Sequence, residues 1–131
     1  MPQYRIRDAA ELLGVSDDTV RRWIDGGRLT ATSDDAGRSV VDGVALAQFA
    51  ESIASAPPER NAPAGSARNR LTGLVTRVVR DTVMAQVELQ CGPYRVVSLM
   101  SREAADELEL APGVLATAVV KSTNVVVEVT R

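Results

Sequence analysis

Residues 9 to 23 read Ala9-Ala10-Glu11-Leu12-Leu13-Gly14-Val15-Ser16-Asp17-Asp18-Thr19-Val20-Arg21-Arg22-Trp23. With Ile6 added, Ile6, Ala9, Ala10 and Leu13 fall at helical spacing on one face, and Gly14 supplies the left-handed conformation that ends a helix. Val15 then points inward. Ser16 is placed to cap a second helix running on through Ile24, because its hydroxyl accepts from the free N–H groups of the first turn. Gly26-Gly27 stops that helix. Helix, sharp turn and helix is the arrangement that lets a second helix enter the DNA major groove.

Working outward, Thr30 to Val41 contains Asp34-Asp35-Ala36-Gly37, a turn between two short extended pieces. Helical spacing returns in Val44 to Ile53 through Leu46, Phe49 and Ile53. A hairpin after the helix pair predicts a wing, so residues 1–55 are expected to form a winged helix-turn-helix domain. Trp23 sits at a spacing that assigns it to the core. Beyond it, Ala54-Ser55-Ala56-Pro57-Pro58-Glu59-Arg60-Asn61-Ala62-Pro63-Ala64-Gly65 has prolines and small residues and no hydrophobic period. It reads as a linker over 56–65, with a coil reach on the order of 20 Å.

The period changes after the linker. Leu71 to Val79 is apolar and β-branched, with a bulge expected at Gly73; Val83, Ala85, Val87 and Leu89 alternate with Met84, Gln86, Glu88 and Gln90 as a half-buried strand should. Cys91-Gly92-Pro93 turns the chain into Tyr94 to Met100, and Ser101 caps a short helix to Leu110. Val114 to Val120 and Val125 to Val129 then complete five strands. Three strands, a helix and two strands is the order of a small OB-like barrel over 66–131. The fold class is therefore α+β. The closing run Val125-Val126-Val127-Glu128-Val129 is too apolar for a free edge strand and predicts pairing with another chain.

Composition narrows the function. The chain of 131 residues carries a net charge of −2, has no histidine and holds one cysteine, Cys91. The usual general base and the commonest transition-metal ligand are missing, and no intrachain disulfide or thiolate cluster is available. Glu103, Asp106 and Glu107 read as helix-dipole partners instead of a catalytic carboxylate site. No enzyme activity is expected. No apolar run reaches membrane-spanning length and Met1-Pro2-Gln3-Tyr4-Arg5 does not open a signal peptide, so a cytoplasmic location without a membrane partner is expected.

Charge in the first half is against DNA binding in sum and for it in distribution. Through Ser52 there are six arginines against nine acids, a net of −3, unlike the basic footprint of a strong DNA binder. Four of the six, Arg21, Arg22, Arg28 and Arg38, fall on the second helix, its exit and the expected wing.

Lys121 is the only lysine among fourteen arginines, which singles out a position that favours a compact ammonium over a planar fork. It stands in Lys121-Ser122-Thr123-Asn124, and a second unusual string, Ser66-Ala67-Arg68-Asn69, lies upstream. Together they supply two cations, hydroxyl and amide donors, and turn N–H groups, which suit a small tetrahedral oxyanion. On these residues, Ser66 to Val129 resembles the Mop type of TOBE domain found in molbindins and in the effector halves of molybdate-responsive regulators. The resemblance implies that the two strings, with a hydroxyl at the start of the intervening helix, surround molybdate or tungstate at subunit interfaces. It carries over Ser66, Ala67, Arg68, Asn69, Ser101, Lys121 and Ser122. Ala104 departs from the pattern, standing where the family often has a second hydroxyl. Metal enters only as an oxyanion, with no cofactor and no cation site.

In the first half, Ala9 to Ser16, Thr19 to Trp23 and Gly27-Arg28-Leu29 resemble the winged helix-turn-helix of MerR and excisionase-like DNA binders. That resemblance implies contacts to double-stranded DNA from Ser16, Thr19, Arg21, Arg22, Arg28 and Arg38. An oligonucleotide-binding barrel is the rival for the second half, but from Ser66 onward Tyr94 is the only aromatic, and single-strand binding needs stacking platforms. The expected whole is a molybdate- or tungstate-responsive transcriptional regulator, assembled as a dimer or trimer of dimers through its C-terminal domain. The alternative is an intracellular molybdate store whose head does not bind DNA.

Overall fold

A two-residue turn decides how the first half packs. In the computed structural model, which describes residues 2–55 and 63–130, helix α1 (Ile6–Leu13) ends at Gly14, whose φ of 69° is left-handed. The Gly14 N–H donates to the Glu11 carbonyl and the Val15 N–H to the Ala10 carbonyl. This closes α1 and reverses the chain into α2 (Asp17–Asp25), where Ser16 Oγ accepts from the Thr19 N–H at 3.2 Å. The apolar faces of both helices meet over a core of Ala9, Ala10, Val20, Leu29, Val41, Leu46 and Phe49, with Trp23 packed against it. Trp23 meets Phe49 edge to face at 4.9 Å, a favoured aromatic geometry.

Strands β1 (Gln3–Arg5), β2 (Ala31–Ser33) and β3 (Ser39–Asp42) form an antiparallel sheet in the order β1-β3-β2. The β2–β3 hairpin follows the expected turn. β1 is an addition to the sequence reading: three residues carry too little period to be recognised, and they are a strand because β3 offers them a ladder. Asp42 then caps α3 (Gly43–Ile53) by accepting from the Ala45 N–H. The chain divides into two units, 1–55 and 56–131. Most of the expected linker, residues 56–62, lies outside the described residues.

The second unit is built on one long strand. β4 (Asn69–Arg80) pairs with β7 (Leu115–Val120) over Asn69 to Leu74, and with β5 (Met84–Cys91) over Leu74 to Arg80. β5 pairs in turn with β6 (Tyr94–Ser101), giving the order β6-β5-β4-β7. Helix α4 (Arg102–Glu107) covers one end, capped by Ser101 Oγ and tied to the sheet by Arg80, which donates to Asp106 at 2.9 Å and to the Leu110 carbonyl at 2.8 Å. Buried Glu88 on β5 is paired with Arg95 on β6. The sheet curls: residues of β6 and β7, its two edges, line one apolar groove of about 260 Å³.

Two expectations need correction here. The sheet has four strands, not five. After β7 the chain makes a single 3-10 turn at Ser122–Asn124, and Val125 to Val129 pair with no strand among the described residues, Val126 and Val127 being 84% and 82% exposed. Valine content made this run look like a strand, but a strand also requires a neighbour. The bulge is likewise not at Gly73: the register slips between Val75 and Arg77, so Thr76 is the extra residue. Gly73 instead marks a close approach, since a Cβ there would lie 2.2 Å from the Gln90 carbonyl oxygen and 2.8 Å from Cys91 Cα. Among the described residues no helix is long and apolar enough to cross a membrane.

Because the obstructing atoms are backbone, they cannot swing aside. Gly73→Ala is expected to destabilise the second unit by about 2 kcal/mol or more, as overpacking does, read as a lowered urea midpoint. A midpoint equal to that of wild type would show that β4 and β5 do not approach this closely.

Two turns carry an acid dependence. Asp81 accepts from the Met84 and Val83 N–H groups at 2.7 Å each, and these bonds, Met84's first, hold its carboxyl below the ordinary aspartate range, helped by the charge of Arg102. Asp34 is lowered in the same way, chiefly by the Arg38 N–H. A depressed folded value stabilises above the unfolded pKa of about 4 and is lost as pH falls through the folded value. Carboxyl NMR titration should find Asp34 and Asp81 ionising below the ordinary aspartate range, with both turns loosening under acid. Ordinary titration of both would refute the bonding.

Candidate functional site

Antiparallel pairing sets the geometry of the candidate anion site. Asn69 opens β4 and stands opposite Val120, the last residue of β7. Arg68 precedes Asn69 and Lys121 follows Val120, so the two flank the last pair of this ladder. The Asn69 side-chain amide crosses this junction and donates to the Val120 carbonyl at 3.1 Å. Ser66-Ala67-Arg68-Asn69 and Lys121-Ser122 thus share one end of the curled sheet, although about fifty residues separate them in sequence.

Their donors are held ready. The Arg68 guanidinium reaches back to the Gly65 carbonyl at 2.9 Å, which folds the string on itself. Lys121 precedes the 3-10 turn, and its carbonyl accepts from the Asn124 N–H at 2.9 Å. Ser66, Arg68, Lys121 and Ser122 are exposed, and Ala67 is half-buried. Lys121 forms no ion pair among the described residues. An ammonium, a guanidinium and hydroxyls with no carboxylate between them form an all-donor set, suited to an oxyanion that only accepts.

Ser101 is not part of this group. It closes β6 opposite Met84, at the end of β5 where Ala85 faces Arg80. That is the far end of β4, twelve residues long, or about 36 Å of strand contour from Asn69. Its hydroxyl is engaged as the cap of α4, accepting from Ala104 at 3.1 Å.

In the first unit, the residues singled out for DNA are spread over the surface. Ser16 and Thr19 bond each other at 3.0 Å. Arg22 is exposed. Arg28 stacks on the rings of Trp23 and Phe49, at 5.9 and 5.4 Å from their centroids, which makes it part of the packing. Arg21 and Arg38 do converge, lining one open basin. Arg5 and Arg7 line it too, and sequence reasoning passed over both. The available signal was the alternation Arg5-Ile6-Arg7, in which an inward isoleucine turns its two neighbours outward.

Comparison with known proteins matches this division. A helix-turn-helix domain family matches residues 4–53 and the TOBE domain family residues 65–127. Molybdenum-pterin-binding protein 2 of Clostridium pasteurianum is 40% identical over 63 residues, which span 47% of this chain and 93% of that protein. The chain belongs to the TOBE-domain family. Molybdenum-pterin-binding protein 1 of the same organism is 36% identical over the same share of each chain. A solved molybdate-binding protein from Sporomusa ovata is 32% identical, covering 50% of this chain and 98% of that one, with a TM-score of 0.49.

Within the TOBE domain, the Asn69–Val120 side-chain bond ties the two strings together in addition to the β4–β7 ladder. Asn69→Ala leaves a part-buried carbonyl without its side-chain donor and is expected to cost about 1 kcal/mol, seen as a small drop in thermal midpoint. An unchanged midpoint would show that strand pairing alone maintains the junction.

Proposed function

We propose that this chain is a molybdate- or tungstate-responsive, DNA-binding transcriptional regulator: residues 1–55 form the winged DNA-binding head, 56–65 the linker, and the TOBE domain the effector site. The observation that carries this reading is the juxtaposition of Ser66 to Asn69 with Lys121 and Ser122 at one end of β4. The names of the relatives supply the ligand. Ser66, Arg68, Lys121 and Ser122 donate to the oxyanion from their side chains, Ala67 from its N–H, and Asn69 fixes the two strings. Ser101, at the other end of the same sheet, serves the site of an adjoining copy, so each site is completed between subunits. That requirement supports the homo-oligomer, a dimer or trimer of dimers. The role is binding, with no catalysis and no further cofactor.

Effector binding then acts through assembly. An anion that binds only where two TOBE domains meet stabilises that contact as its concentration exceeds the dissociation constant, and the heads are presented together. In the head, Ser16, Thr19, Arg21 and Arg22 present α2 to the groove, Arg38 extends from the hairpin acting as a wing, and Arg28 supports α2 through Trp23. The storage reading is favoured by one finding: the molybdenum-pterin-binding relatives consist almost wholly of the part that matches here, so the domain exists without a head.

Calorimetry should show molybdate binding to the full chain and its loss in Lys121→Ala. Removing a charge-assisted donor costs about 1.5–3 kcal/mol, roughly tenfold or more in affinity. Duplexes selected by the full chain from a random pool should change affinity when molybdate is added, and not for Lys121→Ala. Wild-type molybdate binding by that variant refutes the site; a pool that yields no duplex leaves the storage reading in possession.

A further inference from the structure

The first unit has more acid than base, yet its arginines are not evenly spread. Arg5 from β1, Arg7 from α1, Arg21 from α2 and Arg38 from the residue before β3 line one open basin of about 440 Å³, together with Ile6, Asp17 and Ser39. Four of the unit's six arginines thus meet there with one of its nine acids. Folding gathers these arginines at one place, with β1, α1, α2 and the turn before β3 each contributing one.

We propose that this basin is the seat of a phosphodiester of the DNA backbone, with Arg5 and Arg7 as its principal ligands, a deepening that rests on the DNA-binding reading above. Arg5 and Arg7 are exposed and form no ion pair among the described residues. The other two arginines are partly committed, Arg21 to Asp18 at 3.8 Å and Arg38 to Asp34 at 3.3 Å. Ile6 is half-buried and packs against the core, so the backbone that carries its two neighbours is anchored. Guanidinium groups on anchored backbone suit bidentate phosphate contacts.

The basin's position selects the backbone over the bases. Asp17 and Arg21 are one helical turn apart on the same side of α2, so the basin flanks the N-terminal half of the helix assigned to the groove, where a strand of the duplex passes. Six acids oppose it: Asp18 and Asp34 pair with Arg21 and Arg38, and Asp25 lines a neighbouring depression with Ile6, Arg21 and Ser39. Asp17 is inside the basin, and Asp8 and Glu11 line an adjoining depression with Arg5 and Arg7. Asp17 is the one that weakens a bound phosphate directly.

The test is fluorescence anisotropy of the full chain with a mixed-sequence duplex of about 24 base pairs across a potassium chloride series, using Arg5→Gln with Arg7→Gln, and separately Asp17→Asn. Two lost phosphate contacts should reduce the slope of log affinity against log salt by about 1.8, with affinity at low salt falling about tenfold or more. Asp17→Asn should bind a few-fold tighter. A double variant that melts like wild type and keeps the wild-type slope overturns the proposal. If the double variant does not fold, Asp17→Asn decides, and wild-type affinity in that variant overturns it. Inorganic phosphate that displaces the duplex beyond the effect of equal ionic strength marks a site for free phosphate and overturns the backbone assignment. Wild-type protein with no salt-dependent binding overturns the DNA-binding reading itself, whereas loss of slope in the double variant alone supports both.

Discussion

The second unit depends on β4 changing partners midway. Its first half is hydrogen-bonded to β7 and its second half to β5, and both ladders meet at Leu74. At the handover the backbone of β5 comes so near to β4 that no side chain fits between them. Gly73 meets that condition, with the Gln90 carbonyl where a Cβ would stand. The curl of the sheet brings β6 and β7 to face each other across a groove. The β4–β7 register sets the start of β4 opposite the end of β7, and so brings the two strings to one end of the sheet.

The same curl leaves the sheet unfinished. β6 and β7 are edges with an apolar groove between them, lined by Val96, Val97, Met100 and Ala118 among others. Val126, Val127 and Val129 extend from the end of the chain into solvent. A unit this poor in aromatics buries little surface per residue, and leaving a valine segment uncovered forfeits stabilisation of about 25 cal/mol for each Å². On the proposed reading, the open edges and a site divided between the two ends of β4 lead to the same expectation by separate routes. One concerns apolar burial and the other concerns ligand completeness, and association of copies relieves both.

What was legible in the sequence follows the range of the interactions. The helix pair was legible because its causes lie within four residues: the Gly14 stop, the Ser16 cap and the apolar faces of α1 and α2. The order of three strands and a helix was legible from alternation and turn residues. β1 was not, since three residues become a strand only through β3, far along the chain. Val125 to Val129 failed for the converse reason, having strand composition without a strand to pair with among the described residues. Gly73 was recognised as exceptional but for the wrong cause, because a glycine in a strand signals either a bulge or a close approach and only the neighbour distinguishes them. The position of Arg28 at the exit of α2 was legible, but not that its guanidinium lies over two rings, which sequence could not place together.

The placement of charge has the same origin. A count over the first half sets nine acids against six arginines and argues against a polyanionic partner, yet potential depends on distance. At an ionic strength near 0.15 M, charges more than about 8 Å apart are largely screened from one another, so a phosphate responds to the groups around it and not to the domain's total. Gathering Arg5, Arg7, Arg21 and Arg38 around one basin sets four arginines beside a single lining acid, Asp17, while the unit stays acidic overall. Such a head gains little from long-range attraction and holds any single duplex contact weakly. On the proposed reading this is what makes assembly matter: one weak head dissociates readily, while two heads tethered to associated TOBE domains rebind through their high effective concentration. A strongly basic head would bind DNA whatever the state of the TOBE domains and would leave the anion nothing to control.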